Sequence, residues 1–168
     1  IDLNKLIPTG YKSPTISNCY LDNSGNNLSV GNIAYNYQGG FVGKAVGTQI
    51  KNSSIKANSL TVEGKNMAGG FAGYSANAEL VGVLNGLGIE LFNAFQLNTF
   101  LLNGRVETNN LSVHANEKYG GGISGALANS FIVDCSVSGT TNITADSYAG
   151  GISGIAALGQ SIALKDFY

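Results

Sequence analysis

Few side chains in this chain have the chemistry to act on a substrate. His114 is the single histidine, so a Ser-His-Asp or Cys-His arrangement has only one place to be built. It follows the apolar-polar-apolar stretch Leu111-Ser112-Val113, where comparable segments carry Gly31, Glu63 and Asp146 or its neighbours. A solvated residue at a strand end fits that setting better than a general base. No His-x-x-x-His or Glu-x-x-His pair occurs, and zinc is not supported. Polysaccharide lyases combine clustered aspartates with a basic proton acceptor. Here Arg105 is the one arginine and the acids are scattered, from Asp2 and Asp22 to Glu107 and Glu117. The expectation is a non-enzyme without a cofactor.

Two further groups matter only if segments stack. Ile132-Val133-Asp134-Cys135 and Ala163-Leu164-Lys165-Asp166 are similar segments, each with an aspartate. Stacked one above the other, their carboxylates would lie about 5 Å apart and repel unless protonated, solvated or shared with a cation. Asp134 and Asp166 are therefore the calcium candidates. Cys19 and Cys135 fall in one column three repeats apart, roughly 14 Å at strand spacing, whereas a disulfide needs Cα atoms within about 7 Å. Two free, inward-facing thiols are expected.

The elements that position these residues are repeats. Gly-Gly-apolar-small-Gly occurs four times, as Gly39-Gly40-Phe41-Val42-Gly43, Gly69-Gly70-Phe71-Ala72-Gly73, Gly121-Gly122-Ile123-Ser124-Gly125 and Gly150-Gly151-Ile152-Ser153-Gly154. The motif glycines Gly40, Gly43, Gly70, Gly73, Gly122, Gly125, Gly151 and Gly154 mark strands packed too closely for a side chain. Upstream lie Leu28-Ser29-Val30, Leu60-Thr61-Val62, Leu111-Ser112-Val113 and Ile143-Thr144-Ala145, each alternating like a half-buried strand. Earlier still comes an Asx column, Asn18, Asn52, Asn103, Asp134 and Asp166, which reads as a side-chain ladder holding corners.

Three short strands per repeat of about 30 residues cannot bury their apolar faces alone, but stacked copies can. The chain is therefore read as all-β, a single parallel β-helix of about four to five rungs over residues 1–168, right-handed by the general crossover preference. Residues 1–12 read as an N-terminal cap or strand. The spacing between the second and third glycine motifs jumps to 52, which places an apolar insert near 81–100. Leu84, Leu87, Leu91 and Phe95 form a helical stripe there, weakened by Gly82, Gly86 and Gly88. It either covers the solenoid wall or docks a partner.

The four glycine motifs and the Asx columns resemble the GLUG repeat of bacterial cell-surface proteins, over about residues 13–168. The insert and the Phe or Ile at the usual Leu position depart from that pattern. The resemblance implies an extracellular, cell-surface location, as in adhesins and the non-catalytic regions of immunoglobulin A peptidases of the metallo-class.

Composition narrows the partners. The charged fraction is 11% and the formal net charge −1, so no basic stripe exists for nucleic acid. The most apolar stretch, Leu80 to Leu102, is broken by polar residues that oppose a membrane span. The chain begins at Ile1 without Met, consistent with a processed or excised piece. The expected role is an adhesive, ligand-binding or stalk module meeting a host protein or glycan. Tyr37, Tyr119 and Tyr148 beside the glycine motifs, and Phe92 and Phe95 in the insert, are the contact candidates. The alternatives are a subunit that stacks on copies of itself into a fibre, and an accessory domain of a surface protease.

Overall fold

The computed structural model describes residues 14–79 and 96–157. Within them the chain is all-β. It makes four passes through four parallel sheets, visiting the sheets in the same order each time, a β-solenoid-like stack. The first pass, or rung, contains β1 (Thr15–Ser17), β2 (Tyr20–Gly31), β3 (Tyr37–Gly39) and β4 (Val42–Val46). The second contains β5 (Gln49–Lys51), β6 (Ser54–Gly64), β7 (Met67–Gly69) and β8 (Ala72–Ala76). A small antiparallel pair, β9 (Ala78–Glu79) and β10 (Gln96–Leu97), follows. The third rung is β11 (Thr99–Leu102), β12 (Arg105–Ala115), β13 (Tyr119–Gly121) and β14 (Ser124–Ala128). The fourth is β15 (Ser130–Val133), β16 (Ser136–Ala145), β17 (Tyr148–Gly150) and β18 (Ser153–Ala157).

The long strands show how sequence sets this path. In β6, Ile55 and Ala57 are buried, and then Leu60 and Val62. The step of three between Ala57 and Leu60 breaks strict alternation, so the strand must bend at Asn58 to keep both halves facing the core. β12 repeats the break, with Val106 and Thr108 before it and Leu111 and Val113 after it. β16 does not. It passes the corner with the single residue Gly139, at φ 91°, where β12 uses Thr108 and Asn109. A Cβ on Gly139 would run into the Thr108 carbonyl oxygen, so glycine is required there.

This shortening corrects one alignment drawn from the sequence. Thr141, not Ile143, stands over Leu111, and Ile143 stands over Val113. The strip Thr141-Asn142-Ile143 therefore occupies the fourth copy of the strand triplet. At the same corner in the first rung, β2 accommodates extra residues between Asn23 and Asn27 as a bulge opposite Asn58. There the Ser24 side chain and then its backbone N–H hydrogen-bond Asp22 and hold its carboxyl below the usual range.

Each glycine of the motif meets a different neighbour. A Cβ on the first would strike the carbonyl three residues on, as at Gly69 and Ala72, so the chain folds back in a tight arc. A Cβ on the second would strike the same glycine of the next rung, as Gly70 does Gly122. The third presses on the preceding rung, Gly73 on Gln38 and Gly125 on Ala68. Between these walls lies the main core, with Ile50, Ile55, Leu60, Val62, Phe71, Leu101, Val106, Leu111, Val113 and Ile123 essentially inaccessible. Each such side chain contributes about 1.5–3 kcal/mol of burial. A smaller cluster gathers Met67, Tyr74, Ala76, Ala126 and Ala128.

The excursion after the second rung leaves and returns at one place, because Glu79 pairs with Gln96 and Ala78 with Leu97. Thr99 and Phe100, taken from the sequence as its last part, lie in the sheet, with Phe100 opposite Gln49 and Phe131. Residues 81–95 of the insert lie outside the described residues, as do the cap at 1–12 and the segment Ala163 to Asp166.

Candidate functional surface

The corners come first, because they fix every strand beyond them. Asn18, Asn52, Asn103 and Asp134 each adopt positive φ, between 47° and 54°, at the turn into the long strand. Asn and Asp tolerate this left-handed region better than other non-glycine residues, which explains the Asx column. Asn103 Nδ2 donates to Asn52 Oδ1 at 3.0 Å. Asp134, one rung above, has no amide to donate downward, and Arg105 Nε fills that place by donating to Asn103 Oδ1 at 3.1 Å.

Four more amide contacts of this kind appear that the residue pattern did not reveal. Asn109 donates to Asn58 and Asn58 to Asn27, at 3.0 and 2.9 Å. Asn66 donates to Asn36 at 2.9 Å, and Asn129 to Asn77 at 3.4 Å. The available signal was the spacing: Asn58 and Asn109 each stand at the break in apolar alternation described above.

The tyrosine column is present but interrupted. Tyr37, Met67, Tyr119 and Tyr148 stand in register, and Met67 is fully buried. Tyr37 is half-buried and stacks on Tyr74 with centroids 5.5 Å apart, the Lys44 ammonium 5.3 Å from the Tyr37 ring. Tyr119 is also half-buried and stacks on Tyr148 at 5.8 Å, and only Tyr148, 59% exposed, stands well out in solvent. Phe92, Phe95 and Asp166 lie outside the described residues, so the calcium pair and the insert contacts do too.

Both cysteines are free thiols. Cys135 is half-buried, beside the Gly104 N–H and the Leu101 carbonyl, each at 3.2 Å. Its burial raises the thiol above the ordinary 9.0. Cys19 is exposed rather than inward-packed, its backbone N–H donating to Ser53 Oγ at 3.3 Å. His114 stands in the column Gly31, Glu63, His114, Thr144, its Nδ1 2.8 Å from Thr144 Oγ1. Among the described residues no three His, Cys, Asp or Glu side chains converge as a metal site would require.

Stacking does assemble one extended array. Leu60, Val62, Leu111 and Val113 point inward, so the alternate residues of these strands point out. In register these are Asn27, Ser59, Asn110 and Thr140 in one column and Ser29, Thr61, Ser112 and Asn142 in the next. None is buried and none is charged. Parallel-strand geometry spaces them about 4.8 Å between rungs and about 6.6 Å along each strand.

No family model, curated protein or solved structure matches the chain.

The array is bordered by charge on both sides. Asp22, Lys56 and Glu107 lie in register on one flank, and Glu63, in register with the His114 ring, on the other. Chemically, the face offers a lattice of hydroxyl and amide groups that donate and accept without net charge. Among the described residues no helix is long and apolar enough to cross a membrane.

Proposed function

We propose that the chain is a non-catalytic, right-handed parallel β-helix module of a bacterial surface protein of the GLUG-repeat kind. It acts outside the cell in adhesion, through contact with a neutral, hydroxyl-rich host glycan. The observation that carries this reading is the uncharged array on the outer face of β2, β6, β12 and β16. A rigid lattice of small hydrogen-bonding groups loses little side-chain entropy on contact. Its lack of charge matches a neutral polymer and not an anionic one. The four in-register glycine motifs support the resemblance to the surface repeats.

The test is binding of the purified chain to immobilised neutral and anionic polysaccharides, with and without the pair Thr61→Lys and Ser112→Lys. Retention on neutral polymers that the pair abolishes, with an unchanged melting curve, is the expected result. Retention that survives both lysines excludes this face. No retention on any polymer leaves the module as a stalk.

A second reading, a subunit stacking end to end into a fibre, is favoured by the inward residues of the outer rungs. Ile16 is 37% and Ile152 50% exposed, while their column mates Ile50 and Ile123 are buried. Light scattering across a concentration series separates the two: growth without fixed stoichiometry supports the fibre.

A further inference from the structure

Asn103 precedes Gly104, and the fold favours both residues for unrelated reasons. The corner needs a residue at ease with φ 51°, and Asn103 provides it. The space beside residue 104 is filled from two sides, since a Cβ there would lie 3.2 Å from the Phe71 ring and 3.3 Å from Cys135 Sγ. Together these constraints place an Asn-Gly pair, the dipeptide whose side-chain amide is most open to attack by the following backbone nitrogen, in the centre of the stack. The other such pair, Asn85-Gly86, lies outside the described residues.

Both reacting groups are engaged. The Asn103 carboxamide is held at each end, Nδ2 by Asn52 Oδ1 and Oδ1 by Arg105 Nε. The Gly104 N–H, the group that would become the nucleophile, donates to Cys135 Sγ at 3.2 Å. In the closed stack, neither the side-chain rotation nor the loss of the N–H proton is available.

We propose that Asn103 is a self-modification site gated by the stack: it is protected while the rungs are closed and converts when they open. In the open state the Gly104 nitrogen bonds to Asn103 Cγ and gives up its proton, and ammonia leaves, closing a succinimide. Water then opens the ring at either carbonyl, producing an aspartyl or an isoaspartyl linkage. Neither product carries the amide that donates to Asn52. The aspartyl form also sets a carboxylate one rung below Asp134, and the isoaspartyl form lengthens the main chain at a corner. Conversion therefore hinders reclosure and records that the stack has opened.

The test is peptide mapping by mass spectrometry of the whole chain after timed incubation in mildly alkaline buffer, folded and in denaturant. Conversion at Asn103 is expected to be at least about tenfold slower in the folded chain, since it must wait for local opening. Asn52→Gly, which keeps a residue suited to positive φ, and Cys135→Ala each remove one restraint without touching the reacting pair. Both are expected to raise the folded-state rate several-fold and to leave the rate in denaturant unchanged. Asn58→Ala loosens a different ladder and is expected to leave the Asn103 rate at the wild-type value. Equal folded and denatured rates, no conversion in denaturant, or a folded rate insensitive to Asn52→Gly and Cys135→Ala would each overturn the proposal. So would acceleration by Asn58→Ala as large as theirs, because opening would then be global and not gated at Asn103.

Discussion

Gly70 lies directly beneath Gly122, so close that a Cβ on Gly70 would collide with the Gly122 carbonyl oxygen. The equivalent position on the fourth rung, Gly151, has nothing within 4 Å. The same substitution at these two sites should thus differ sharply. Gly70→Ala is expected to cost at least about 3 kcal/mol, because the carbonyl that must move sits in the bend between β13 and β14, whose Gly122 and Ile123 N–H groups are tied to the fourth rung, whereas Gly151→Ala should stay within about 0.5 kcal/mol. Urea melts of the two variants check this, and equal costs would mean that the second glycine answers to something other than rung spacing.

The amide ladder at Asn58 makes a separate prediction. Asn58 receives a hydrogen bond from Asn109 and donates one to Asn27, so Asn58→Ala leaves two amides short of a partner. Exposed hydrogen bonds of this sort contribute about 1 kcal/mol each at most, and water replaces part of the loss. The expected cost is about 1 kcal/mol in thermal or chemical denaturation. A cost near zero would make the ladder a consequence of stacking and not a support for it.

Much of this architecture was legible because the repeat is written in residue types that only a few backbone positions accept. The motif glycines at 39–43 and its three copies, and the Asx corners at 18, 52, 103 and 134, marked three strands per repeat, whereas the structure has four parallel sheets, because the glycine motif bends after its first glycine and contributes to two of them. The register of the fourth strand triplet was not legible, because Gly139 removes one residue and the apolar pattern alone made Ile143 look like the partner of Leu111. The return of the excursion was hidden for a different reason. Glu79 and Gln96 pair through their backbones, and backbone pairing leaves no trace in side-chain type. The polar array was half visible: each triplet carries a small polar residue in the middle, but that these residues form columns follows only once the rungs are in register.

The two thiols should behave differently. Cys19 is exposed and Cys135 half-buried with its thiol raised by burial, so a thiol reagent at mildly alkaline pH should label Cys19 first and Cys135 slowly. A raised acid favours the protonated form in the folded state, and its stabilising contribution is complete below the unfolded value of 9.0. That contribution is lost as pH rises through the folded value, because the unfolded chain releases its proton first. Stability should therefore decline above about pH 9 in the wild type and decline less in Cys135→Ser. Matching pH profiles for the two proteins would remove Cys135 as the cause.

Phe71 and Gly104 provide a test of packing that needs no ligand. Phe71 is fully buried, stacks on Phe41 with centroids 4.7 Å apart, and reaches the position that a side chain on Gly104 would occupy. Phe71→Leu should cost about 1–3 kcal/mol through lost contact and residual space. Gly104→Ala alone should also destabilise, since the added methyl would crowd the Phe71 ring and Cys135 Sγ. In the double variant the shorter leucine makes room for the methyl, and the methyl fills part of the space that the ring vacates. The two costs should then fall short of additivity by about 0.5–3 kcal/mol, the range seen for residues in contact. Denaturation of the four proteins in the cycle measures that difference. Simple additivity would show that residue 104 is glycine for the sake of Cys135 alone, and that the Phe71 ring does not set the spacing of the second and third rungs.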